Sequence, residues 1–336
     1  MLTRPLGASG IEASVVALGA WQMGGWFWGG NPDEDSVRAA HASLDHGVNL
    51  IDTAAIYGFG HSELMVGKAI RGKRDKFIIA TKCGIVANPT VGEPSFRTTA
   101  HTKSDFGHVQ INRYNGPESI RQELELSLKR LDTDYIDLYQ THWQEPTTPI
   151  ADTMGELMKM KGEGKIRAIG VCNATTKHMD QYRAAGRLDT DQEKYSMLDR
   201  ALDAGQLPYC GKHHIAVLAY SPLSKGLLTG KLSPDRVFAP GDVRNGDDRF
   251  SPENRRRIQR MLDPLRPIAE DKGITLGQLT IAWTFHQPGL THVLCGARNA
   301  EQAIDNAGAG DVTLSEDELK TINDAIDAYR GQAVAG

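Results

Sequence analysis

VNLIDTAAIYGFGHSELMVG, residues 48–67, distinguishes between two possible folds. An apolar run ends near Asp52, Tyr57 follows five positions later, and Gly-Phe-Gly leads into a helix-like segment. A strand, a glycine turn and a helix in this order are typical of a dinucleotide-binding Rossmann unit. The same order also suits a strand end that holds a carboxylate and a phenol side by side. The spacing of the glycines distinguishes the two interpretations.

The glycines of this stretch do not form a Rossmann fingerprint. That fingerprint requires G-x-G-x-x-G, whereas the sequence from Gly58 reads G-F-G-H-S-E. Glu63 therefore stands where the third glycine would let helix and strand pack closely. The acidic residue of the fingerprint follows its glycines, but Asp52 precedes them. The sequence favours the second interpretation, in which Asp52 and Tyr57 serve a site at the end of a strand.

Short β-rich runs recur along the whole chain and predict a barrel. Most are continuously apolar, as expected of parallel strands that are covered on both faces. Eight such runs alternate with helical patterns: VVALGAW, NLIDTA, KFIIATK, YIDLYQTH, IRAIGVC, QEKYSML, AVLAYSP and HVLCGA. This alternation predicts an α/β fold, a (β/α)8 TIM barrel. The opening TRPLGASGIEASVV predicts a β-hairpin that precedes the first barrel strand and plugs the amino-terminal end of the barrel.

A single barrel domain is predicted over residues 1–336, because no linker or composition break interrupts the chain. Two segments exceed ordinary loop length, residues 83–116 after the third strand and residues 223–251 after the seventh. Both follow carboxyl ends of strands, where barrel enzymes place their chemistry, so both are expected to be functional or mobile loops. Residues 252–270, rich in Arg and Leu, predict an added helix before the seventh barrel helix near 275–287.

Bulk composition argues against several classes of protein. The formal net charge of -4 disfavours binding to nucleic acid or to an anionic membrane, since both need a basic face. No secretory signal is visible at the amino terminus, and no apolar run reaches the about 18 residues of a membrane helix. The four cysteines form no C-x-x-C pair, which is typical of free thiols in a cytoplasmic protein. Nothing in the sequence indicates a partner protein.

Four side chains with complementary chemistry are predicted at neighbouring strand ends. Asp52 ends the second strand, Lys82 the third and His142 the fourth, while Tyr57 lies in the loop after the second. Taken singly, each is explained as a surface cap or ion pair; taken together, they suit the reduction of a carbonyl. Hydride addition leaves an alkoxide that needs a proton, and a phenol with a pKa of about 10 is a poor acid at neutral pH. A nearby ammonium lowers that pKa, a carboxylate holds the ammonium, and a histidine orients the substrate oxygen.

Several longer stretches resemble the aldo-keto reductase family over nearly the whole chain. They are NLIDTAAIYGFGHSELMVGKAI, IIATK, RLDTDYIDLYQTHW, KIRAIGVCN, AYSPLSKGLLTGK and CGARNAEQAIDN, in the order of the family. The resemblance implies a catalytic tetrad of Asp52, Tyr57, Lys82 and His142, with Tyr57 as general acid in reduction and general base in oxidation. The chain is similar to bacterial members that act on small aldehydes and to the related potassium-channel β-subunits. This implies an NADP-dependent oxidoreductase that reduces small aldehydes or ketones to alcohols by hydride transfer.

The resemblance also implies a nicotinamide cofactor, NADP (NADPH) with NAD as the alternative, extended across the barrel rim. Asn173 and Gln192 match residues that hold its carboxamide, and Tyr220 matches the aromatic residue that stacks on its nicotinamide ring. The segment 221–226 matches the pyrophosphate loop, where turns expose backbone N–H groups and lysines neutralise phosphate. The matching positions are Gly19, Ala20, Trp21, Asp52, Asn173, Gln192, Tyr220, Ser221, Pro222, Leu223, Lys225, Gly226, Lys231, Gly296, Arg298, Gln302 and Asn306.

The adenosine end of the cofactor is assigned to Arg298, Gln302 and Asn306, which are spaced by four on a helix-like segment and so share one face. Arg298 indicates a 2′-phosphate and hence NADP. The sequence departs from the family at three places. Gln302 stands where many NADP-preferring members have Arg, Cys172 stands where members often have Ser, and Gln144–Glu145 replace a common Pro–Asp.

Aromatic residues are predicted to wall the substrate side of the site, next to Tyr57 and His142. Trp21 and Trp143 adjoin strand ends, and aromatic walls favour a compact site with few polar anchors. The cluster GGWFWGGN, residues 24–31, fits either this wall or a packed loop.

Three other functions compete with the reductase. A cofactor-binding regulatory subunit would keep the fold and the tetrad with negligible turnover. A thiol-nucleophile enzyme would use Cys83, Cys172 or Cys295 near strand ends, but none lies in a motif that activates a thiolate. Metal-dependent hydrolysis is disfavoured, because no H-x-H marks the first strand and His213–His214 lack further ligands.

Overall fold

The computed structural model describes residues 1–25, 30–87, 89–99, 108–238 and 242–334. The strands in these ranges are β1 (Thr3–Pro5), β2 (Glu12–Ser14), β3 (Val16–Gly19), β4 (Leu50–Asp52), β5 (Ile78–Cys83), β6 (Ile85–Ala87), β7 (Glu93–Thr99), β8 (His108–Arg113), β9 (Ile136–Thr141), β10 (Ile166–Cys172), β11 (Thr190–Lys194), β12 (Ala216–Tyr220) and β13 (His292–Gly296). The α-helices are α1 (Asp33–Asp45), α2 (His61–Ile70), α3 (Pro117–Leu131), α4 (Ile150–Gly162), α5 (Thr176–Ala185), α6 (Gln206–Lys212), α7 (Pro252–Leu262), α8 (Arg266–Asp271), α9 (Leu276–Phe285), α10 (Ala300–Gly308) and α11 (Glu316–Val334).

Parallel strands close into the predicted barrel. Around the ring they follow chain order, β3, β4, β5, β9, β10, β11, β12 and β13, and β13 pairs with β3 to complete it. Every residue of β5 and of β9 is buried, as expected of parallel strands that are covered on both faces. The (β/α)8 prediction is therefore confirmed. The sixth predicted strand, QEKYSML, is placed two residues late, because Ser196 and Asp199 already bond to each other in a turn after β11.

The helices agree with the sequence in the barrel repeats and differ in the added segment. α9 begins where Thr275 forms a capping box with Gln278, close to the predicted start. The prediction of one added helix over residues 252–270 is wrong, because α7 ends at Leu262 and α8 begins only after a 3₁₀ turn. Pro264 and Pro267 lack the N–H group that an uninterrupted helix needs. None of the described helices is long and apolar enough to cross a membrane.

The first long segment after a barrel strand contains a small sheet. Within residues 83–116, β6, β8 and β7 form an antiparallel sheet in that order. Val109 and Ile111 of β8 are buried in a cluster with Ala54 and Ile56, on the loop that leads to the predicted site. The prediction of a long loop is thus wrong for this segment, which forms a cover over the end of β4.

The hairpin of β1 and β2 plugs one end of the barrel, as predicted. Leu6 and Ile11 in its turn join an apolar cluster that draws Leu50, Leu138 and Leu218 from strands around the ring. A cluster fed by strands on all sides lies inside the barrel. The hairpin residues therefore close the amino-terminal end of the interior and exclude water from it.

Gly7 in the hairpin turn provides a test of this plug. Its φ is 57°, and a Cβ at this position would lie 2.0 Å from the carbonyl oxygen of Asp189, just before β11. Gly7→Ala should lower the melting temperature by several degrees, because steric overlap with backbone adds to left-handed strain of about 1–2 kcal/mol. Gly10→Ala is the matched control, since Gly10 has a φ of 79° and no atom within 4 Å of an added Cβ.

Circular dichroism melts of the two variants and the wild type measure the difference. Gly10→Ala carries the backbone strain alone, so its loss should be clearly the smaller. Equal losses would contradict a tightly seated hairpin.

Candidate active site

The carboxyl ends of β4, β5 and β9 bring the four predicted tetrad residues together. Asp52 is the last residue of β4, and Lys82 lies near the end of β5. His142 follows β9 directly, and its backbone N–H donates to the carbonyl of Cys83 at 2.9 Å. Because neighbouring parallel strands end at one rim, residues far apart in sequence become neighbours.

Lys82 is the centre of the group. Its Nζ lies 2.5 Å from Asp52 Oδ1, 2.8 Å from the carbonyl oxygen of Thr53 and 3.3 Å from the hydroxyl of Tyr57. Lys82 is buried, with 1% of its surface exposed. An ammonium has three N–H donors, and these contacts give each of them a partner.

Asp52 is satisfied on both oxygens. While Oδ1 pairs with Lys82, Oδ2 accepts from Gln192 Nε2 at 2.8 Å and from Gln140 Nε2 at 3.2 Å. A buried carboxylate needs such donors in addition to its counter-ion. Gln192, predicted to hold a carboxamide, therefore also anchors the carboxylate of Asp52.

A tight turn positions Tyr57. Gly58, Phe59 and Gly60 have φ of 61°, 54° and 96°, so three successive residues are left-handed. A Cβ at Gly58 would lie 2.2 Å from the carbonyl oxygen of Gly24, which shows how closely the two loops pack. The glycines of the opening stretch thus serve a sharp turn into α2 rather than a dinucleotide phosphate.

Aromatic rings surround the phenol. The ring of Tyr57 meets that of His142 edge-on at a centroid distance of 5.7 Å, and the ring of Trp21 lies 6.2 Å away. Trp143 lies at the same rim, where the guanidinium of Arg113 stacks 4.4 Å from its ring centroid. The three aromatic residues of the GGWFWGGN cluster, at positions 26–28, lie outside the described residues.

The protonation states depend on burial and on Lys82. Burial raises the pKa of Tyr57 to about 12, although the Lys82 ammonium opposes this shift. Lys82 thus lowers the pKa of the phenol as expected, but desolvation is the larger effect and the pKa of Tyr57 lies above its ordinary value. Burial also opposes the charge on Lys82, but Asp52 and Tyr57 outweigh it and raise the pKa of Lys82. Burial, Lys82 and Arg113 hold the pKa of His142 well below its usual range.

The residues assigned to the carboxamide are joined to this group. Asn173 follows β10 in the left-handed region, with φ 53°. Its Nδ2 donates to the carbonyl of His142 at 3.0 Å, and its Oδ1 accepts from the hydroxyl of Tyr220 at 2.9 Å. Its backbone N–H donates to the carbonyl of Gln192 at 3.1 Å. One side chain therefore connects the ends of β9, β10 and β12.

The segment assigned to pyrophosphate has an unusual backbone. Ser221, Ser224 and Lys225 have positive φ, and Gly226 has φ 99° with no atom within 4 Å of an added Cβ. Successive left-handed residues turn N–H groups toward one side and form a concavity for anions. Lys225 Nζ lies 3.5 Å from Asp247, on the long segment that follows β12. Residues 223–251 contain two 3₁₀ turns in their described part, at Ser224–Thr229 and Asp248–Phe250.

The segment assigned to the adenosine end differs from the expected helix face. α10 begins at Ala300, so Arg298 precedes the helix and the predicted single face is wrong for it. The backbone N–H of Arg298 donates to Gln302 Oε1 at 2.9 Å, and Asn306 Nδ2 donates to the carbonyl of Gly296 at 3.1 Å. These contacts hold Arg298 beside the helix start. Lys231, also assigned to the cofactor, pairs with Asp305 of α10 at 3.3 Å.

The turn after β3 completes the rim. The N–H of Ala20 donates to the carbonyl of Asp52 at 2.8 Å, and the Ala20 carbonyl accepts from Ser62 Oγ at 2.7 Å. Gly19 pairs in register with Gly296 across the closure of the barrel.

The cysteines and histidines do not offer a competing centre in the described ranges. All four cysteines are free and buried, and burial raises the pKa of the thiols of Cys83, Cys172, Cys210 and Cys295. A thiol that resists ionisation is a poor nucleophile. Among the residues that the structure describes, no group of three His, Cys, Asp or Glu side chains could hold a metal ion.

Comparison with known proteins identifies the family of the chain. The model described as "Aldo/keto reductase family" matches residues 15–327 of this chain. The chain belongs to the aldo/keto reductase family. This is a family of oxidoreductases, and the predicted resemblance is confirmed.

Two bacterial relatives match nearly the full length. The chain is 38% identical over 322 residues to the aldo-keto reductase YhdN of Bacillus subtilis, covering 95% of this chain and 92% of the relative. It is 38% identical over 333 residues to the NADH-specific methylglyoxal reductase of Escherichia coli, covering 96% of this chain and 98% of the relative.

Solved structures of family members share the barrel. The glycerol dehydrogenase of Gluconobacter oxydans superimposes with a TM-score of 0.86 at 37% identity, covering 97% of this chain and 95% of that one. An aldo/keto reductase of Klebsiella pneumoniae in complex with NADP and acetate has a TM-score of 0.69 at 28% identity, covering 95% of this chain and 93% of that one.

Two residues at this site were not predicted from the sequence. Gln140 donates to Asp52, and Arg113 stacks on Trp143. Gln140 left a signal, since it is an amide in an otherwise apolar strand end, two positions before His142. Arg113 left none, because its position depends on the small sheet that the sequence did not predict.

The burial of the Lys82–Asp52 pair predicts a large effect on stability. Lys82→Met should lower the free energy of unfolding by about 3–5 kcal/mol, because it leaves a buried carboxylate without its cation. The double variant Lys82→Met/Asp52→Asn should be more stable than Lys82→Met, since the amide carries no charge and still accepts from Gln192.

Urea titrations of the wild type, both single variants and the double variant measure the coupling. A double variant that loses the sum of the two single losses would show that the two groups do not interact as a buried ion pair.

Proposed function

We propose that this aldo/keto reductase is an NADP-dependent enzyme that reduces small aldehydes or ketones to alcohols, with Tyr57 as general acid. The observation that carries the proposal is the buried ammonium of Lys82, which contacts Asp52 at 2.5 Å and the hydroxyl of Tyr57 at 3.3 Å. A cation at this distance from a phenol stabilises the phenolate that remains after proton transfer. The complete set of acid, cation, carboxylate and imidazole supports turnover rather than cofactor binding alone.

The residues along the rim fit a dinucleotide. The left-handed residues Ser221, Ser224 and Lys225 and the open face at Gly226 suit a pyrophosphate. The side-chain amides of Asn173 and Gln192 suit a carboxamide. When bound, a reduced nicotinamide supplies the hydride that the carbonyl carbon accepts.

The tetrad then handles the proton. With a pKa of about 12, Tyr57 keeps its proton throughout the neutral range and can pass it to the alkoxide oxygen, which is a much stronger base. Lys82 stabilises the phenolate, and Asp52 holds Lys82 in place. His142 is neutral, so its ring N–H donates to the substrate oxygen without a competing charge. In the oxidation of an alcohol the same groups act in reverse, with Tyr57 as the base.

The preference for NADP rests on Arg298, which lies at the start of α10 next to the Asn299 cap. The relatives differ in this respect, because one is named as NADH-specific and one is solved with NADP. NAD is therefore the alternative cofactor. The amide oxygen of Gln302 accepts from the backbone N–H of Arg298, which fixes the backbone from which the guanidinium extends.

The substrate is proposed to be a small carbonyl compound between Trp21, Tyr57, His142 and Trp143. The two aromatic walls at the rim support a compact pocket. The names of the relatives, methylglyoxal reductase and glycerol dehydrogenase, refer to substrates of that size. We place the activity in the cytoplasm, which the four free thiols support.

The proposed acid gives the first kinetic prediction. Tyr57→Phe should reduce kcat for aldehyde reduction by about 100- to 10,000-fold, because general acid catalysis supplies that much. The Kd of NADPH should stay within about twofold of the wild type, since the variant removes only a hydroxyl. Absorbance of the reduced cofactor at saturating methylglyoxal measures the first, and a fluorescence titration measures the second.

A Phe variant that retains wild-type kcat would exclude Tyr57 as the acid. A wild type that binds NADPH tightly but turns over none of a panel of small aldehydes would instead identify the protein as a regulatory cofactor-binding subunit.

Arg298→Ala should raise the Kd of NADPH by about tenfold or more, since a charge-assisted contact to phosphate contributes about 1.5–3 kcal/mol. The affinity for NADH, which has no 2′-phosphate, should change little. Isothermal titration with both cofactors separates the two effects. Equal losses would mean that Arg298 supports the start of α10 and does not recognise the phosphate.

A further inference from the structure

A polar cluster lies behind Asn173, on the outer face of β11. Side chains alternate across a strand, so Gln192 points into the barrel and its neighbours Asp191 and Glu193 point outward, toward α6. Asp191 is fully buried and Glu193 is 9% exposed. Two acids in such a place need an explanation, because burying a carboxylate is costly unless it is partnered.

The cluster holds Ala174 by both of its backbone polar groups. The N–H of Ala174 donates to Glu193 Oε1 at 2.7 Å. The amide of Gln206 donates both to the carbonyl oxygen of Ala174 at 2.8 Å and to Asp191 Oδ2 at 2.6 Å. Ala174 has no polar side chain, so these contacts act on the backbone immediately after Asn173.

The two acids also hold each other. Their carboxyl groups are close enough to interact, and a proton kept by one of them removes the repulsion between two charges. Burial and the neighbouring Glu193 raise the pKa of Asp191, and burial raises that of Glu193. The thiol of Cys210 on α6 lies 3.9 Å from Asp191 Oδ2. The pair therefore keeps a proton and presents an acceptor to Ala174.

The conformation of Asn173 depends on its two neighbouring peptide units. Its φ of 53° lies in the left-handed region, which Asn adopts more readily than other residues with a Cβ but at some cost in free energy, so contacts that fix the flanking groups favour it. On one side its N–H donates to the carbonyl of Gln192. On the other side, Glu193 accepts from the N–H of Ala174, and Gln206, which also bonds to Asp191, donates to the Ala174 carbonyl oxygen.

We propose that Asp191, Glu193 and Gln206 are positioning residues that fix Ala174, and through it the orientation in which Asn173 binds the nicotinamide carboxamide. The inference rests on the proposed function, since it assigns Asn173 to the nicotinamide half of the cofactor. None of the three residues touches the cofactor. They set how tightly its nicotinamide half is bound, and the adenosine half does not depend on them.

The test compares an intact cofactor with one that lacks the nicotinamide. Isothermal titration measures Kd for NADPH and for 2′-phospho-ADP-ribose, or for NADH and ADP-ribose if the wild type binds NADH more tightly. In Glu193→Leu and Gln206→Leu, Kd for the intact cofactor should rise about tenfold, the effect of losing one or two buried hydrogen bonds. Kd for the truncated nucleotide should stay within about twofold.

Two further variants sharpen the comparison. Glu193→Gln should restore binding, because its amide oxygen accepts from Ala174 while its NH₂ group donates to Asp191. Gln122→Leu on α3 is the control for an amide lost elsewhere and should bind both ligands as the wild type does. Gln206→Leu keeps the acid pair and changes a half-buried side chain, so it provides the test if Glu193→Leu does not fold.

The outcomes separate the two proposals. Selective loss of the intact cofactor, with rescue in Glu193→Gln, supports the positioning role. Equal loss of both nucleotides, or no loss of either, overturns it while the proposed function stands. A wild type that binds neither NADPH nor NADH overturns the proposed function and this inference with it.

Discussion

The buried ammonium of Lys82 is the constraint on which the rest of the site depends. A charge with 1% exposure needs a carboxylate, and the carboxylate needs further donors, so Asp52, Gln140 and Gln192 form a polar layer across the barrel. Two residues earlier on the same strands, Leu50 and Leu138 belong to the apolar layer that the hairpin closes. Strand alternation therefore stacks a polar layer on an apolar one, and the chemistry occupies the upper layer.

The backbone around this layer supplies precision that the strands alone cannot provide. The left-handed turn at residues 58–60 aims Tyr57 at Lys82, and left-handed Asn173 joins His142 to Tyr220. Strained backbone of this kind is stable only where its surroundings determine it. The small sheet over Ala54 and Ile56 and the acid cluster behind Asn173 supply those surroundings.

Much of the fold could be predicted from the sequence, because most barrel strands are covered on both faces and read as short apolar runs between helical patterns, although β11, TDQEK, is polar throughout. The proximity of Asp52, Lys82 and His142 could be predicted because these residues stand at or just after strand ends, where a polar or charged residue beside apolar residues is conspicuous. The sheet formed by β6, β7 and β8 could not, since its pairing joins segments whose register depends on packing over the loop before Tyr57. The net pKa of Tyr57 could not be predicted either, because the sequence reveals the neighbouring ammonium of Lys82 but not the burial that raises the pKa against it. The end of α7 before Pro264 and the start of α10 at Ala300 were also not predicted, because the residues on both sides of each boundary continue a helical pattern.

The hairpin has a consequence for how the molecule assembles. Arg4, near the start of the chain, donates to the carbonyls of Phe285 and Leu290, and β3 completes the ring only by pairing with β13. These contacts join residues about 280 positions apart. During synthesis, residues 3–14 leave the ribosome well before β13 and must therefore wait for it before these contacts can form. Until the barrel closes, the interior that Leu6 and Ile11 seal stays open, so the nascent chain exposes apolar surface that favours aggregation.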